Sequence, residues 1–189
     1  MARSTRILIT AFRPFQGRSS NGSATLLRWL RSRRTPDQFV SSILPVDWVE
    51  APRRLRQLLS RYSPTAVLSL GEGQPGRVSW ECQAVNFQSG TDELGRTKSP
   101  SAIQTGYKTI LNSAIPHPHD QVFSSLPHSC RFELSNDAGT FLCNRIFWEA
   151  LQETSGRACF LHLPPQDPIP DSNYTKSIGT FLLDLLAML

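Results

Sequence analysis

Apolar residues along this chain follow two alternating patterns. Four short apolar runs, Arg6–Ala11, Phe39–Val46, Thr65–Leu70 and Ala158–Leu163, read as buried strands. Between them, leucines return every three or four positions. Ser23 is placed to cap a helix running to Arg33, with Leu26, Leu27 and Leu30 on one face. Val49–Tyr62 carries Leu55, Leu58, Leu59 and Tyr62 at helical spacing. Further on, Val78–Phe87 reads as a strand and residues 88–130 carry little regular signal. So long a stretch is commonly functional or poorly ordered. Order resumes at Arg131–Leu134, then in a helix over Phe141–Thr154. A last helix over Asn173–Leu189 has Ile178, Phe181, Leu182, Leu185, Leu186 and Leu189 as its stripe. The alternation predicts an α/β fold, a mostly parallel sheet covered by helices on both faces. With no repeat, low-complexity tract or linker, residues 1–189 read as one domain.

The 189 residues are 39% hydrophobic and 19% charged, which excludes a mostly disordered chain. No run approaches the roughly 18 apolar residues of a membrane span, so no membrane partner is expected. The N-terminus lacks the apolar stretch and cleavage site of a secretory signal, and the expected compartment is the cytoplasm. Cys82, Cys130, Cys143 and Cys159 show no C-x-x-C spacing, so neither a zinc site nor a disulfide framework is indicated. The net charge of +5 hides an asymmetry: residues 1–61 hold twelve arginines and three acids. A basic third can attract nucleic acid, or its arginines can cover the wet faces of two helices. No aromatic-basic interleaving accompanies the charge, so no nucleic-acid partner is expected.

Several positions carry candidate chemistry. Gly71–Gly76 matches G-x-G-x-x-G after a strand, but a dinucleotide site needs a helix opening at the third glycine. Here Val78-Ser79-Trp80 reads as extended, so a tight turn fits better. His117, His119 and Asp120 are metal-ligand types in a proline-broken loop; no metal and no cofactor are expected. Cys143 falls near the start of a helix, after the small-residue turn Ala138-Gly139-Thr140, where free N–H groups and the helix dipole favour a thiolate. The same position, beside Phe141, Leu142 and Ile146, also suits a buried structural cysteine. His162 closes a strand, where open α/β sheets gather their sites; a hydrogen-bonded core histidine is the rival reading. Glu81 is an acid in an apolar strand, either half of a structural pair or the group that orients a histidine. Together they make the parts list for acyl transfer by a thiolate.

Four segments resemble pyroglutamyl peptidase I, peptidase family C15. Ile7–Gly17 with Asn21 is similar to the family's opening strand and its G-F-x-P-F-G-G…N loop. Gly76-Arg77, Glu81 and Ala84-Val85-Asn86 resemble G-R…E-R-x-A-x-N. Ser135–Asn144 resembles the nucleophile motif S-x-x-A-G-x-x-x-C-N, and Phe160–Pro164 the F-I-H-x-P motif. The resemblance implies a three-layer α/β/α sandwich that removes an N-terminal pyroglutamyl residue from peptides, without metal or cofactor. It implies Cys143 as nucleophile, His162 as base then acid, and Glu81 as the residue that orients His162. Phe12, Phe15, Phe141 and Leu142 fall where the pyroglutamate pocket has apolar walls, and Glu72 falls at a Gln-type position beside it. Homo-oligomerisation is left open.

The chain also departs from the family pattern. Ala11 and Gln16 replace glycines, Gly22 a proline, and Cys82 an arginine. The A-R-I-P-D-N-E-G loop becomes Gly90–Gly95, which lacks the arginine proposed to help hold the oxyanion. Arg77 and Arg96 are the nearby candidates to replace it. An ionised Glu72 would repel a developing oxyanion, which predicts slow turnover relieved by Glu72→Gln. The alternative reading is a divergent member with weak or no peptidase activity that binds a ligand or partner.

Overall fold

The computed structural model describes residues 7–33, 39–118, 126–165 and 172–187. Its central sheet has the strand order β2-β1-β3-β10-β4-β9. These are β1 (Ile7–Phe12), β2 (Phe39–Leu44), β3 (Ala66–Glu72), β4 (Arg77–Glu81), β9 (Arg131–Ser135) and β10 (Ala158–Leu163). All neighbours run parallel except β10 and β4. The apolar runs lack strand-type alternation because both faces are covered. Ile7, Ile9, Ala11, Leu161 and Leu163 pack toward α1 (Gly22–Arg33) and α4 (Ser172–Leu186). Leu8, Phe12, Ala158 and Phe160 pack toward α2 (Glu50–Tyr62) and α3 (Leu142–Glu153). This is a three-layer α/β/α arrangement with a mostly parallel sheet.

The helices follow their leucine stripes. Leu26, Leu27 and Leu30 of α1 and Leu55 of α2 are fully buried, each worth about 1.5–3 kcal/mol. Arg28, Arg31 and Arg33 of α1, and Arg53, Arg54, Arg56 and Arg61 of α2, are exposed. The two basic faces thus lie on opposite sides of the sheet. Among the described residues no helix is long and apolar enough to cross a membrane.

Three expectations are corrected. The cap of α1 is Asn21, not Ser23: Asn21 Oδ1 accepts the N–H groups of Ser23 (3.0 Å) and Ala24 (3.4 Å). Ser23 Oγ instead accepts the N–H of Phe12 at 3.1 Å, tying the helix to the end of β1. The strand expected over Val78–Phe87 breaks at Cys82: β4 joins the main sheet, while β5 (Gln83–Val85) pairs antiparallel with β8 (Ile110–Asn112). The irregular stretch also holds a hairpin, β6 (Gln88–Thr91) and β7 (Thr97–Ser101). Its polar Ser, Thr and Gly residues pair through backbone bonds that hydrophobic periodicity does not reveal.

Candidate active site

Sheet register assembles the site. His162 on β10 stands between Gly71 of β3 and Ser79 of β4, and Phe160 stands between Ser69 and Glu81. β4 continues to β9, placing Ser79 beside Glu133 and Glu81 beside Ser135. Alternate residues of a strand share a face. Phe160 lies in the core beneath α2 and α3, so His162, Ser79, Glu81 and Glu133 are on that face too.

Cys143 comes to this face from above. It is the second residue of α3, after Phe141, which caps the helix in extended conformation. The first N–H groups of a helix have no intrahelical acceptor, so the thiol sits among free donors. A Cβ on Gly71 would lie 2.8 Å from the Phe160 ring and 3.0 Å from Cys143 Sγ; one on Gly73 would lie 2.8 Å from His162 Cβ. Those glycines therefore let the helix start and the histidine approach the strand. Gly71 belongs to β3 and the segment after Gly76 is β4, so no helix follows to hold a pyrophosphate.

Glu81 is buried and accepts the Nδ1–H of His162 at 2.7 Å. Its Oε2 is buried without a hydrogen-bond partner among the described residues. Burial pushes the His162 imidazole toward its neutral form. Hydrogen bonding and charge at Cys143, then at Glu81, outweigh that and push its pKa up to about 10. Burial raises the thiols of Cys159 and Cys82 instead. Cys143 is thus the cysteine that meets an imidazole.

The thiol opens on a cavity of about 600 Å³. On the β1–β2 side it is lined by Phe12, Phe15 and Val46, with Phe141 and Leu142 from the helix start. On the β4–β9 side it is lined by Gln74, Arg77, Ser79, Glu133, Ser135 and Asp137. Glu72 also borders it, but its charge is met: Oε2 accepts Arg18 Nη1 and Oε1 the N–H of Gly22, both at 2.5 Å. The repulsion expected of a free carboxylate there is removed. Arg96 is held by Asp47 and Asp92, and Arg77 lies 3.5 Å from Glu133, so both arginines already have acidic partners. His117 Nδ1 lies 3.2 Å from the Pro118 carbonyl; His119 and Asp120 lie outside the described residues.

Two supporting residues receive no role from the sequence reading. Asn144, fully buried, donates to the carbonyls of Val85 (2.8 Å) and Phe87 (2.9 Å) and accepts the Val85 N–H, clamping α3 to the segment after β4. Asp92 accepts the N–H groups of Trp48, Leu94 and Arg96, holding the turn of the β6–β7 hairpin beside β2. Trp48 then packs edge-on against Phe141, with ring centroids 5.0 Å apart. Only the C-N pair of the nucleophile motif marked Asn144; nothing local marked Asp92.

The family model described as pyroglutamyl peptidase, peptidase C15, matches residues 5–180. This chain belongs to the C15 peptidases. It is a hydrolase of the cysteine-peptidase type. The pyrrolidone-carboxylate peptidase of Vibrio vulnificus strain CMCP6 is 29% identical over 97% of this chain and 91% of its own length. That of Pseudomonas fluorescens is 30% identical over 84% of this chain and 78% of its own. The crystal structure of Bacillus amyloliquefaciens pyroglutamyl peptidase I superposes with a TM-score of 0.77 at 22% identity, covering 97% of each chain. That likeness shows the fold of this C15 peptidase.

Proposed function

We propose that this C15 peptidase removes an N-terminal pyroglutamyl residue from peptides, using Cys143, His162 and Glu81. The observation that carries the reading is the His162 imidazole bonded to Glu81 through Nδ1 and also meeting Cys143, in the lining of one cavity. Phe12, Phe15, Phe141 and Leu142 offer apolar walls for a lactam ring. Glu72, neutralised by Arg18, borders the ring's polar edge.

The thiolate of Cys143 attacks the carbonyl carbon of the pyroglutamyl residue, forming the C–S bond and a tetrahedral oxyanion. The N–H groups at the start of α3 stabilise that charge, since the family's loop arginine is missing here. The C–N bond breaks as the His162 imidazolium gives its proton to the leaving amine. Water then attacks the thioester, His162 takes its proton, and pyroglutamate leaves as the C–S bond breaks. Glu81 holds the imidazole in register and balances its charge throughout. Residues 1–189 act as one domain in this reading. Four cysteines without disulfides suit the cytoplasm.

The test is fluorophore release from a pyroglutamyl amide, with and without iodoacetamide. Release abolished by the alkylator supports the reading. Absence of release, with the amide still bound, would establish the binding-only alternative.

A further inference from the structure

A five-membered lactam against Phe12, Phe15 and Phe141 leaves the β4–β9 side of the cavity for the rest of the peptide. This step rests on the reading of the triad above. The amine that leaves must take its proton from His162, so the released peptide begins at that imidazole. His162, Ser79 and Glu133 form one transverse row on neighbouring strands. Neighbouring strands are about 4.8 Å apart, so the backbone of Glu133 lies roughly 10 Å from that of His162. Only the small Ser79 stands between them, and its hydroxyl donates to Glu133 Oε1 at 2.9 Å. A lysine or arginine side chain starting from the leaving amine has the length to cross Ser79 and reach the carboxylate.

That carboxylate has capacity left. Its arginine contacts are long, 3.5 Å to Arg77 and 3.8 Å to Arg131, and its side chain is 30% exposed. On this side the charged lining groups are Glu133, Asp137 and Arg77 beside the Glu81–His162 pair; Arg131 reaches Glu133 from outside the lining, so the lining itself holds more acids than arginines. Asp137 follows the end of β9 and lies off this row, so Glu133 is the acceptor in line with His162. We infer that Glu133 selects the leaving peptide, favouring a basic residue directly after pyroglutamate over an acidic one.

The experiment sets pyroglutamyl-lysine amide against pyroglutamyl-glutamate amide in one reaction and reads the ratio of kcat/KM from the two released products. At low salt the wild type should favour lysine about three- to fivefold, the size of a partly exposed charge pair. Glu133→Gln should bring the ratio close to one, and Glu133→Lys should reverse it. Because each ratio is internal to one sample, a partly folded variant still reports. A wild-type ratio of one, or a ratio unchanged in Glu133→Gln, overturns the inference and leaves pyroglutamyl cleavage standing. Release from neither peptide overturns the triad reading and this inference with it.

Discussion

The two sides of the cavity are held by different forces. On the β10–β4–β9 side, His162, Glu81, Ser79 and Glu133 ride on hydrogen-bonded strands, and their spacing is the spacing of the sheet. On the other side, the loop carrying Arg13 and Phe15, the segment around Trp48 and the tip of the β6–β7 hairpin are joined by side chains and by two isolated backbone bonds, Arg13 N–H to Leu44 and Glu93 N–H to Val46. Arg13 Nε donates to Glu93 Oε2 at 2.9 Å, Asp92 gathers three backbone donors, and Trp48 Nε1 donates to the Gly90 carbonyl at 3.1 Å. Ladder register is shared by the whole sheet and costs most of the fold to disturb. A latch of a few polar contacts loosens locally. In the proposed reaction, chemistry sits on the first and substrate walls on the second, so recognition can change while the reacting groups stay aligned.

The groups proposed to react should break most sharply. Cys143→Ala should lower cleavage of a pyroglutamyl amide by at least about 10³-fold. Iodoacetamide should reach Cys143 before Cys159 and Cys82, whose thiols burial pushes up; equal labelling would refute the assignment. The same variant should pull the imidazole of His162 down from a pKa of about 10, read from its ring resonances by NMR. A histidine raised on folding contributes stability that is complete below about pH 6.5 and is lost as pH climbs toward 10. Without Cys143, that loss should move to lower pH in thermal melts.

Gly71→Ala comes next. The added methyl would press on Phe160 and the Cys143 sulphur, so a loss near 10²-fold in kcat is expected from a displaced nucleophile. Overpacking should also cost about 1–3 kcal/mol in denaturant titrations. An active, fully stable Gly71→Ala would show that the close approach does not matter.

The latch should respond differently. Asp92→Ala strands three backbone donors and should destabilise the protein by about 1–3 kcal/mol, with KM rising several-fold and kcat changing less. Burial opposes the Asp92 charge, but the N–H groups of Trp48, Arg96 and Leu94 and the Arg96 cation hold its carboxyl below the usual range. Its contribution is therefore present above the ordinary carboxylate value and lost as pH falls through the lowered one. Hydrogen-exchange protection at the hairpin, relative to the intrinsic rate at each pH, should accordingly fall in acid before that of the sheet. A fall in kcat with KM unchanged would place Asp92 with the reacting groups instead.

Glu72→Gln should have the smallest effect. Its carbonyl can still accept the Gly22 N–H, but Arg18 loses its contact with the Glu72 carboxylate. A two- to threefold fall in kcat/KM is expected; a clear rise would revive the repulsion inferred from sequence.

Much of the layer plan was legible in the chain. Leu26, Leu27 and Leu30, or Ile178, Phe181 and Leu182, announce a helix face because burial imposes its period on sequence. Cys143, His162 and Glu81, the residues proposed for catalysis, stood out as short motifs because they lie at a helix start and near the ends of two strands. The hairpin at Gln88–Ser101 was not, because its strands are polar and held by backbone pairing. The Asn21 cap was misread as Ser23, since both residue types suit the position and the bond of Ser23 to Phe12 is a tertiary one.

The sequence by itself determined most strands and helices of the three layers, the faces they bury, and the three residues proposed here to carry acyl transfer. Those properties act over a few residues, through side-chain size, polarity and period. Tertiary structure alone decided the strand order, the reversal of β4 against β10 and the charge state of the pocket wall. It placed Arg18 against Glu72, 54 residues away, and Glu133 two strands from His162. Such pairings follow from how all the strands share one sheet and two covering layers, a collective burial that no local stretch of sequence records.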